Sequence, residues 1–222
     1  MRAPAGSRRA RAPTFLPLLI GILVVYAVIV GSGTSTVGQI ARLVTFVGVL
    51  IVAIRISRRR GSVLRLAIGV GVGLGAIVLV AAFGTPALLE GTLAVVQFAL
   101  VAAAIASLAR LLASWRRVDL ATVLGVLCVY LLLALLFAEL YQLGSVIQDG
   151  FLRGVTGTPT ASDCLYLSVI TLATVGYGDI TPATQFGRTI AITEALVGQL
   201  YLVSVVAAVV AGWRASRRDD AV

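Results

Sequence analysis

Long apolar runs recur along the chain, and they constrain its fold more than any other feature. Each is close to or above the roughly 20 residues that an α-helix needs to cross a hydrocarbon layer of about 30 Å. These runs lie at about 14–33, 38–56, 62–83, 92–113, 120–142 and 187–212. With 59% hydrophobic residues and a mean hydropathy of +1.06, most of the chain requires lipid as its solvent. The pattern predicts an all-α membrane protein with six transmembrane helices.

The distribution of charge predicts the orientation of these helices. All but three of the 18 basic residues fall on one side of the membrane if the runs alternate in direction, the exceptions being Arg42, Arg153 and Arg188. Because basic loops stay inside, we expect both termini to be cytoplasmic and the protein to be multi-pass in the plasma (cell inner) membrane. The first run could instead be an export signal, but its length favours a retained helix. The same positive charge would suggest nucleic acid in a soluble protein; here lipid is the expected partner and nucleic acid is not.

The composition argues against catalysis. The chain has no His, and no paired carboxylates or nucleophile with a neighbouring base are visible in it. Cys128 and Cys164 lie inside apolar stretches, where small buried side chains are expected rather than a disulfide framework. We therefore expect a protein that is not an enzyme and carries no cofactor.

A seventh apolar run, at about 162–173, is too short to cross a membrane. It follows a glycine-rich segment at 144–162 that reads as an outer loop. Ser162 and Asp163 are suited to cap a helix that runs to about Ala173. This order predicts a re-entrant half-helix between the fifth and sixth transmembrane helices.

The most distinctive motif follows this half-helix and reads TLATVGYGD at 171–179. We call residues 174–178 the filter segment. A stack of main-chain carbonyls aimed at one axis can replace the water around an ion, but an ordinary strand alternates its carbonyls between two sides. Gly176 and Gly178 can adopt positive φ at little cost and so allow the carbonyls to point one way. The plainer alternative is a glycine-rich turn that joins two helices.

Together with its placement, this motif resembles the selectivity filter of the potassium channel pore-loop family, over about residues 119–213. The resemblance implies six helices with a re-entrant pore helix and selectivity filter between helices five and six. It implies K⁺ as the permeant ion, a homotetramer, and ion coordination by the filter segment. The residues implied to coordinate K⁺ are Thr174, Val175, Gly176 and Tyr177, with Gly178 completing the segment. Thr171, Tyr166 and Asp179 are implied to support it.

Further positions extend the resemblance, and a few depart from it. Those that match the family's pattern after the filter are Asp179, Pro182, Gly187 and Arg188. Tyr166 and Leu167 stand where many relatives carry a Trp pair, which puts the stiffness around the filter in question. Ile170 stands where some carry Glu, which puts inactivation behaviour in question.

The sixth run contains the expected gate. Gly198 stands at the position of the family's inner-helix hinge, although a membrane glycine can equally be a packing contact. Leu202, Val206 and Val210 recur every four residues and could line the pore as an apolar constriction, or face neighbouring helices instead. Glu139 and Glu194 lie inside apolar runs; we expect them to contact the back of the filter or its loops, with snorkelling as the alternative.

The chain divides by prediction into a four-helix N-terminal membrane domain at 1–118 and a pore domain at 119–222. The fourth run carries only Arg110, near its cytoplasmic end, so strong voltage gating is not expected. Arg42 is expected to be an interfacial anchor. A transporter would need repeated halves or several pore loops, and one is present. A non-conducting assembly partner and a weakly selective cation pore remain as alternatives.

Overall fold

The computed structural model describes residues 15–33, 35–57, 84–113 and 120–219, with single positions 69, 73, 77 and 80 between them. Within these ranges, the side chains at 36, 86, 120, 206 and 209–219 are not described. The predicted run at 62–83 therefore lies outside the described residues, apart from those single positions. The Arg clusters at 2–11, 58–65 and 116–117, on which the predicted orientation depends, also lie outside them, and of the Arg residues at 214–218 only the backbone is described.

The described residues form six helices and one very short two-stranded sheet. In chain order these are α1 (Leu16–Ser32), α2 (Thr36–Ser57), α3 (Pro86–Ala113), α4 (Leu120–Ile147), β1 (Leu152–Arg153), α5 (Ala161–Leu172), β2 (Thr181–Pro182) and α6 (Gln185–Asp219). Every apolar run in the described part has thus become a helix. The α-helix satisfies its own backbone polar groups, which lipid cannot do.

Among the described residues, three helices are long and apolar enough to cross a membrane, over Val37–Ser57, Ala87–Ala113 and Ala121–Ile147. The helices α1 and α5 are apolar but shorter. At 1.5 Å per residue, the 17 residues of α1 span about 26 Å, and the 12 residues of α5 only about 18 Å. The observed architecture is that of an all-helical membrane protein.

The first helix shows how the helices pack. Its buried residues Leu18, Ile22, Val25 and Ile29 recur every three or four positions and form one stripe. Leu16, Ile20, Leu23 and other apolar side chains of the same helix are about half exposed or more, as expected for a surface that faces lipid. The buried stripe joins a core that α2, α3 and α4 share and that includes Leu165 of α5.

The short helix α5 is held between α4 and α6 and also contacts α1. Its outer side meets a second buried cluster, formed by Phe137, Tyr141, Phe151, Leu152, Cys164, Leu167 and Ile190. The two strands pair antiparallel, with Leu152 opposite Pro182 and Arg153 opposite Thr181. This ladder joins the loop before α5 to the segment after the filter, so both ends of the α5 region are fixed.

The cap of α5 differs from the sequence prediction at one residue. The N-cap is Thr160, whose hydroxyl oxygen accepts from the Asp163 N–H at 3.2 Å, while Asp163 Oδ2 accepts from the Thr160 N–H at 2.8 Å. Asp163 was predicted as a capping residue; Ser162 is already inside the helix. The reciprocal pair is a capping box, which requires partners three residues apart, and Ser162 stands at the wrong spacing.

Candidate functional site

The backbone of the filter segment alternates in handedness. Positive φ occurs at Thr174 (58°), Gly176 (54°) and Gly178 (80°), every second residue. Such alternation brings successive carbonyl oxygens to the same side, unlike an ordinary strand. The two glycines have the conformation that the sequence predicted. Thr174 was not foreseen: it is the only non-glycine residue with positive φ among those described.

The hydrogen bonds of this segment leave its carbonyls free. The N–H groups of Val175 and Gly176 donate to the carbonyl oxygen of Ile170 at 2.8 and 3.1 Å, and the Thr174 N–H donates to the Thr171 carbonyl at 3.0 Å. Within the described ranges, no hydrogen bond reaches the carbonyl oxygens of residues 174–178. The end of α5 therefore anchors the inner part of the segment through its donors and leaves a row of acceptors for another ligand.

The side chains of the filter segment have little cover from their own chain. Val175 is 50% exposed and Tyr177 72% exposed. In a single chain they present apolar and aromatic surface that a neighbouring copy could cover.

The outer end of the segment is supported by a side-chain bond. The Tyr166 hydroxyl donates to Asp179 Oδ2 at 2.8 Å, which links α5 to the residue after the filter segment. This hydrogen bond keeps the pKa of Asp179 below its ordinary value, because it favours the charged form. Tyr166, which the resemblance places where many relatives carry a Trp, thus connects α5 to the residue after the filter segment. Thr171, in the last turn of α5, is half-buried, and its carbonyl holds Thr174.

Glu194 lies behind α5 and is fully buried. Its Oε2 accepts from the Tyr141 hydroxyl of α4 at 2.8 Å, and its Oε1 is hydrogen-bonded to the Ser168 hydroxyl of α5. The Ser168 oxygen also lies 2.7 Å from the carbonyl oxygen of Ala134. Glu194 therefore contacts α5, the helix before the filter segment, and α4; these partners are not in the filter segment or its loops, and the side chain does not snorkel to the interface.

Glu139 behaves differently. It is 6% exposed and faces α3, where the side-chain amide of Gln97 lies 3.2 Å from both carboxyl oxygens; assigning the amide nitrogen to this side allows it to donate to them. The predicted contact with the filter or its loops is therefore not made; the partner comes from the N-terminal helices. The sequence placed both acids at similar depth, and only the packing of the helices distinguishes them.

Gly198 makes a close contact between helices. A Cβ at this position would lie 2.9 Å from the Leu172 carbonyl oxygen and 2.8 Å from its Cδ1. The helix α6 continues through Gly198, so close packing against the end of α5 is sufficient reason for glycine here. Leu202 is 38% exposed. The side chains of Val206 and Val210 lie outside the described part, so the gate stays a prediction.

Arg42 lines a small polar cleft of about 50 Å³ between the N-terminal helices and the start of α5. Gln39, Gln97, Gln142 and Thr160 also line it. The Arg42 Nε is buried and has no hydrogen-bond partner within the described ranges. Arg42 is therefore placed in a protein cleft rather than only at a lipid interface.

Tyrosine hydroxyls join the helices in a way that sequence reasoning missed. Tyr26 of α1 donates to the Leu131 carbonyl at 2.9 Å, Tyr130 of α4 to the Leu172 carbonyl at 3.0 Å, and Tyr201 of α6 to the Val126 carbonyl at 2.7 Å. The rings of Tyr130 and Tyr201 stack with centroids 5.9 Å apart. The available signal was that a Tyr inside an apolar run must find an acceptor, but the sequence does not say which one.

Comparison with known proteins agrees with this geometry. A family described as ion channel matches residues 125–212, which include most of α4, all of α5, the filter segment and the greater part of α6. The protein LctB of Bacillus caldotenax is 39% identical over 93 residues, which are 38% of this chain and 66% of LctB.

Two eukaryotic relatives match shorter stretches. The two pore potassium channel c of Oryza sativa subsp. japonica is 37% identical over 54 residues, 24% of this chain and 12% of that protein. The potassium voltage-gated channel subfamily KQT member 3 of Homo sapiens is 56% identical over 39 residues, 18% of this chain and 4% of that protein. In all three comparisons, this chain spans less than two thirds of the relative's length.

Proposed function

We propose, because residues 125–212 match a family described as ion channel and two of the relatives are named as potassium channels, that this chain is one subunit of a potassium-selective channel that conducts K⁺ passively. In this proposal α4 is the outer helix, α5 the re-entrant pore helix and α6 the inner helix. Four chains surround one axis. The main-chain oxygens of Thr174, Val175, Gly176 and Tyr177 coordinate K⁺, and no other cofactor takes part.

The observation that carries the proposal is the row of free carbonyls on an alternating backbone. Positive φ at every second residue, from Thr174 to Gly178, orients the oxygens to one side. The N–H groups of Val175 and Gly176 turn instead toward the Ile170 carbonyl. A cation that leaves water needs several oxygens at once, and a neutral carbonyl stack supplies them without binding the ion too tightly to release it.

The pore helix adds a favourable field. The C-terminal end of α5 lies directly before the filter segment, and the carbonyl end of a helix carries partial negative charge. A cation at mid-membrane is stabilised by this end.

One chain cannot enclose an ion with a single filter segment. The exposed Val175 and Tyr177, together with exposed apolar residues on one side of α6, provide the surface for neighbouring copies. Closed cyclic symmetry places identical segments around one axis, which supports a homotetramer. The proposal retains six transmembrane helices, an N-terminal membrane domain at 1–118 and a pore domain at 119–222. It also retains cytoplasmic termini in the plasma membrane and weak voltage dependence.

The proposal is tested with purified protein in liposomes, by measuring K⁺ against Na⁺ flux for the unmodified chain and two matched glycine variants. Gly178 and Gly157 have nearly equal φ, 80° and 81°, and a Cβ at either would meet no atom within 4 Å in one chain. Alanine at each carries the same intrinsic backbone cost, about 1–2 kcal/mol. We expect Gly178→Ala to abolish selective K⁺ flux and Gly157→Ala to preserve it.

Equal loss in both variants would indicate a general folding effect, and equal retention would show that the conformation of the filter segment does not matter for flux. Absence of K⁺ flux from the well-folded unmodified protein would overturn the proposal. Equal Na⁺ and K⁺ flux would overturn its selectivity.

A further inference from the structure

Glu194 is an acid inside the membrane that the coordination of K⁺ does not use. Its side chain is fully buried in the helix bundle, between α4 and α5. The side chains that bond it, from Tyr141 and Ser168, are uncharged. Burying a carboxylate without a cation is costly, whereas a carboxylic acid whose donor and acceptors are all paired is tolerated.

The ionisable groups around Glu194 are phenols. Besides Tyr141, they are Tyr130 of α4 and Tyr26 of α1, whose hydroxyls donate to the carbonyls of Leu172 and Leu131. Cys164 of α5 is buried and lies close enough to Tyr141 to interact with it electrostatically. Among the described residues, no basic side chain is hydrogen-bonded or ion-paired to Glu194.

Counting protons decides how the cluster is bonded. A serine hydroxyl has one hydrogen, yet the Ser168 oxygen is in contact with two acceptor-type atoms, the Ala134 carbonyl oxygen and Glu194 Oε1. The Ala134 carbonyl can only accept. If Ser168 donates its hydrogen to Ala134, the contact with Glu194 needs a hydrogen from the glutamate. If Ser168 donates to Glu194 instead, two oxygen lone pairs face each other at 2.7 Å.

We propose that Glu194 is a proton-binding site: a neutral carboxylic acid that donates from Oε1 to Ser168, which in turn donates to the Ala134 carbonyl. Oε2, as the carbonyl oxygen of the acid, accepts from Tyr141. Each of the three hydroxyl hydrogens then has one acceptor, and no acceptor faces another. Only the protonated form satisfies all of the contacts.

This proton joins the elements that position the filter. Ala134 and Tyr141 belong to the outer helix α4, Ser168 to α5 and Glu194 to the inner helix α6. Removal of the proton leaves a buried negative charge. The single hydroxyl hydrogen of Ser168 can then be donated either to the Ala134 carbonyl or to Glu194, but not to both, so the connection of α5 to α4 or to α6 is weakened. Resting on the proposed function, we infer that the conducting state contains the proton and that K⁺ flux falls at alkaline pH.

Infrared difference spectroscopy of the purified protein tests the proton directly, without reference to conduction. We expect a carbonyl-stretch band of a protonated carboxylic acid at neutral pH that shifts in D₂O and is lost in Glu194→Gln. An amide has a donor and an acceptor, so this variant can keep both contacts. The matched control is Glu139→Gln, which must preserve the band that Glu194→Gln removes.

A second variant keeps the test usable if Glu194→Gln does not fold. Tyr141→Phe removes the donor to Oε2, so the band must remain and move to higher frequency. Absence of any band attributable to Glu194 at neutral pH would overturn the proton site. The same decline of K⁺ flux with rising pH in the unmodified chain and in Glu194→Gln would overturn the regulatory role. A channel that does not conduct at all would leave the band as predicted, so the two failures are distinguishable.

Discussion

At the scale of single residues, backbone constraints explain most of the site. Thr174 holds φ = 58°, a conformation that costs an L-residue about 1–2 kcal/mol. The neighbouring bonds of Val175 and Gly176 to Ile170 hold it in place. A glycine would adopt this conformation more easily but would carry no hydroxyl at the start of the filter segment.

Gly198 provides a prediction at this scale. We expect Gly198→Ala to destabilise the protein by about 1–3 kcal/mol, because the new methyl would press on the Leu172 carbonyl, a backbone atom that cannot rotate away. The control is Gly48→Ala in α2, where a Cβ meets nothing within 4 Å. Alanine there should be neutral or slightly stabilising. Thermal unfolding in detergent measures both, and equal stability of the two variants would contradict the packing role of Gly198.

At the scale of elements, α5 determines the geometry of the site although it is too short to cross a membrane. Its N-terminus is closed by the Thr160 and Asp163 capping box, and its C-terminal carbonyls receive donors from the filter segment and from Tyr130. A short helix has unpaired backbone N–H and carbonyl groups at both ends, and in α5 few of these groups lack a hydrogen-bond partner. The helix is consequently a rigid support from which the filter segment begins.

The cap leads to a prediction for this element. Thr160→Ala should cost about 1 kcal/mol of stability, since it removes the side-chain acceptor of the Asp163 N–H. Ser162→Ala is the matched control; it changes a hydroxyl two residues away that does not cap the helix, and we expect a negligible effect. Chemical unfolding followed by circular dichroism compares them. A larger loss in Ser162→Ala would contradict the assigned cap.

At the scale of the whole molecule, the sequence predicted what depends on local pattern and missed what depends on packing. The apolar runs predicted the helices, and the spacing of Gly176 and Gly178 predicted their positive φ. The partners of Glu139 and Glu194 could not be predicted. Gln97 is 42 positions from Glu139, and Ser168 is 26 positions from Glu194, so only the packing of the helices brings these partners near. Tyr26, Tyr130 and Tyr201 were missed for the same reason.

Assembly is the prediction that belongs to this scale. In mild detergent we expect a protein mass of four times the 23.0 kDa of one chain. Leu196→Ala, on the exposed side of α6, should weaken the assembly by about 2 kcal/mol per chain if neighbouring copies bury it. Leu23→Ala is the control, because Leu23 of α1 is similarly exposed, 52% against 59%, and should face lipid. Native mass spectrometry measures both; a single-chain mass for the unmodified protein would contradict the tetramer.

The small ladder between β1 and β2 has a mechanical consequence. It bridges the chain just after α4 and just before α6, so the pore helix and the filter segment lie on a closed arc whose two ends are tied together. Within the arc, Gly154 comes so near the Asp179 carbonyl that a Cβ would lie 1.7 Å from it. A pull that separates the outer ends of the two long helices therefore loads the ladder before it reaches residues 174–178.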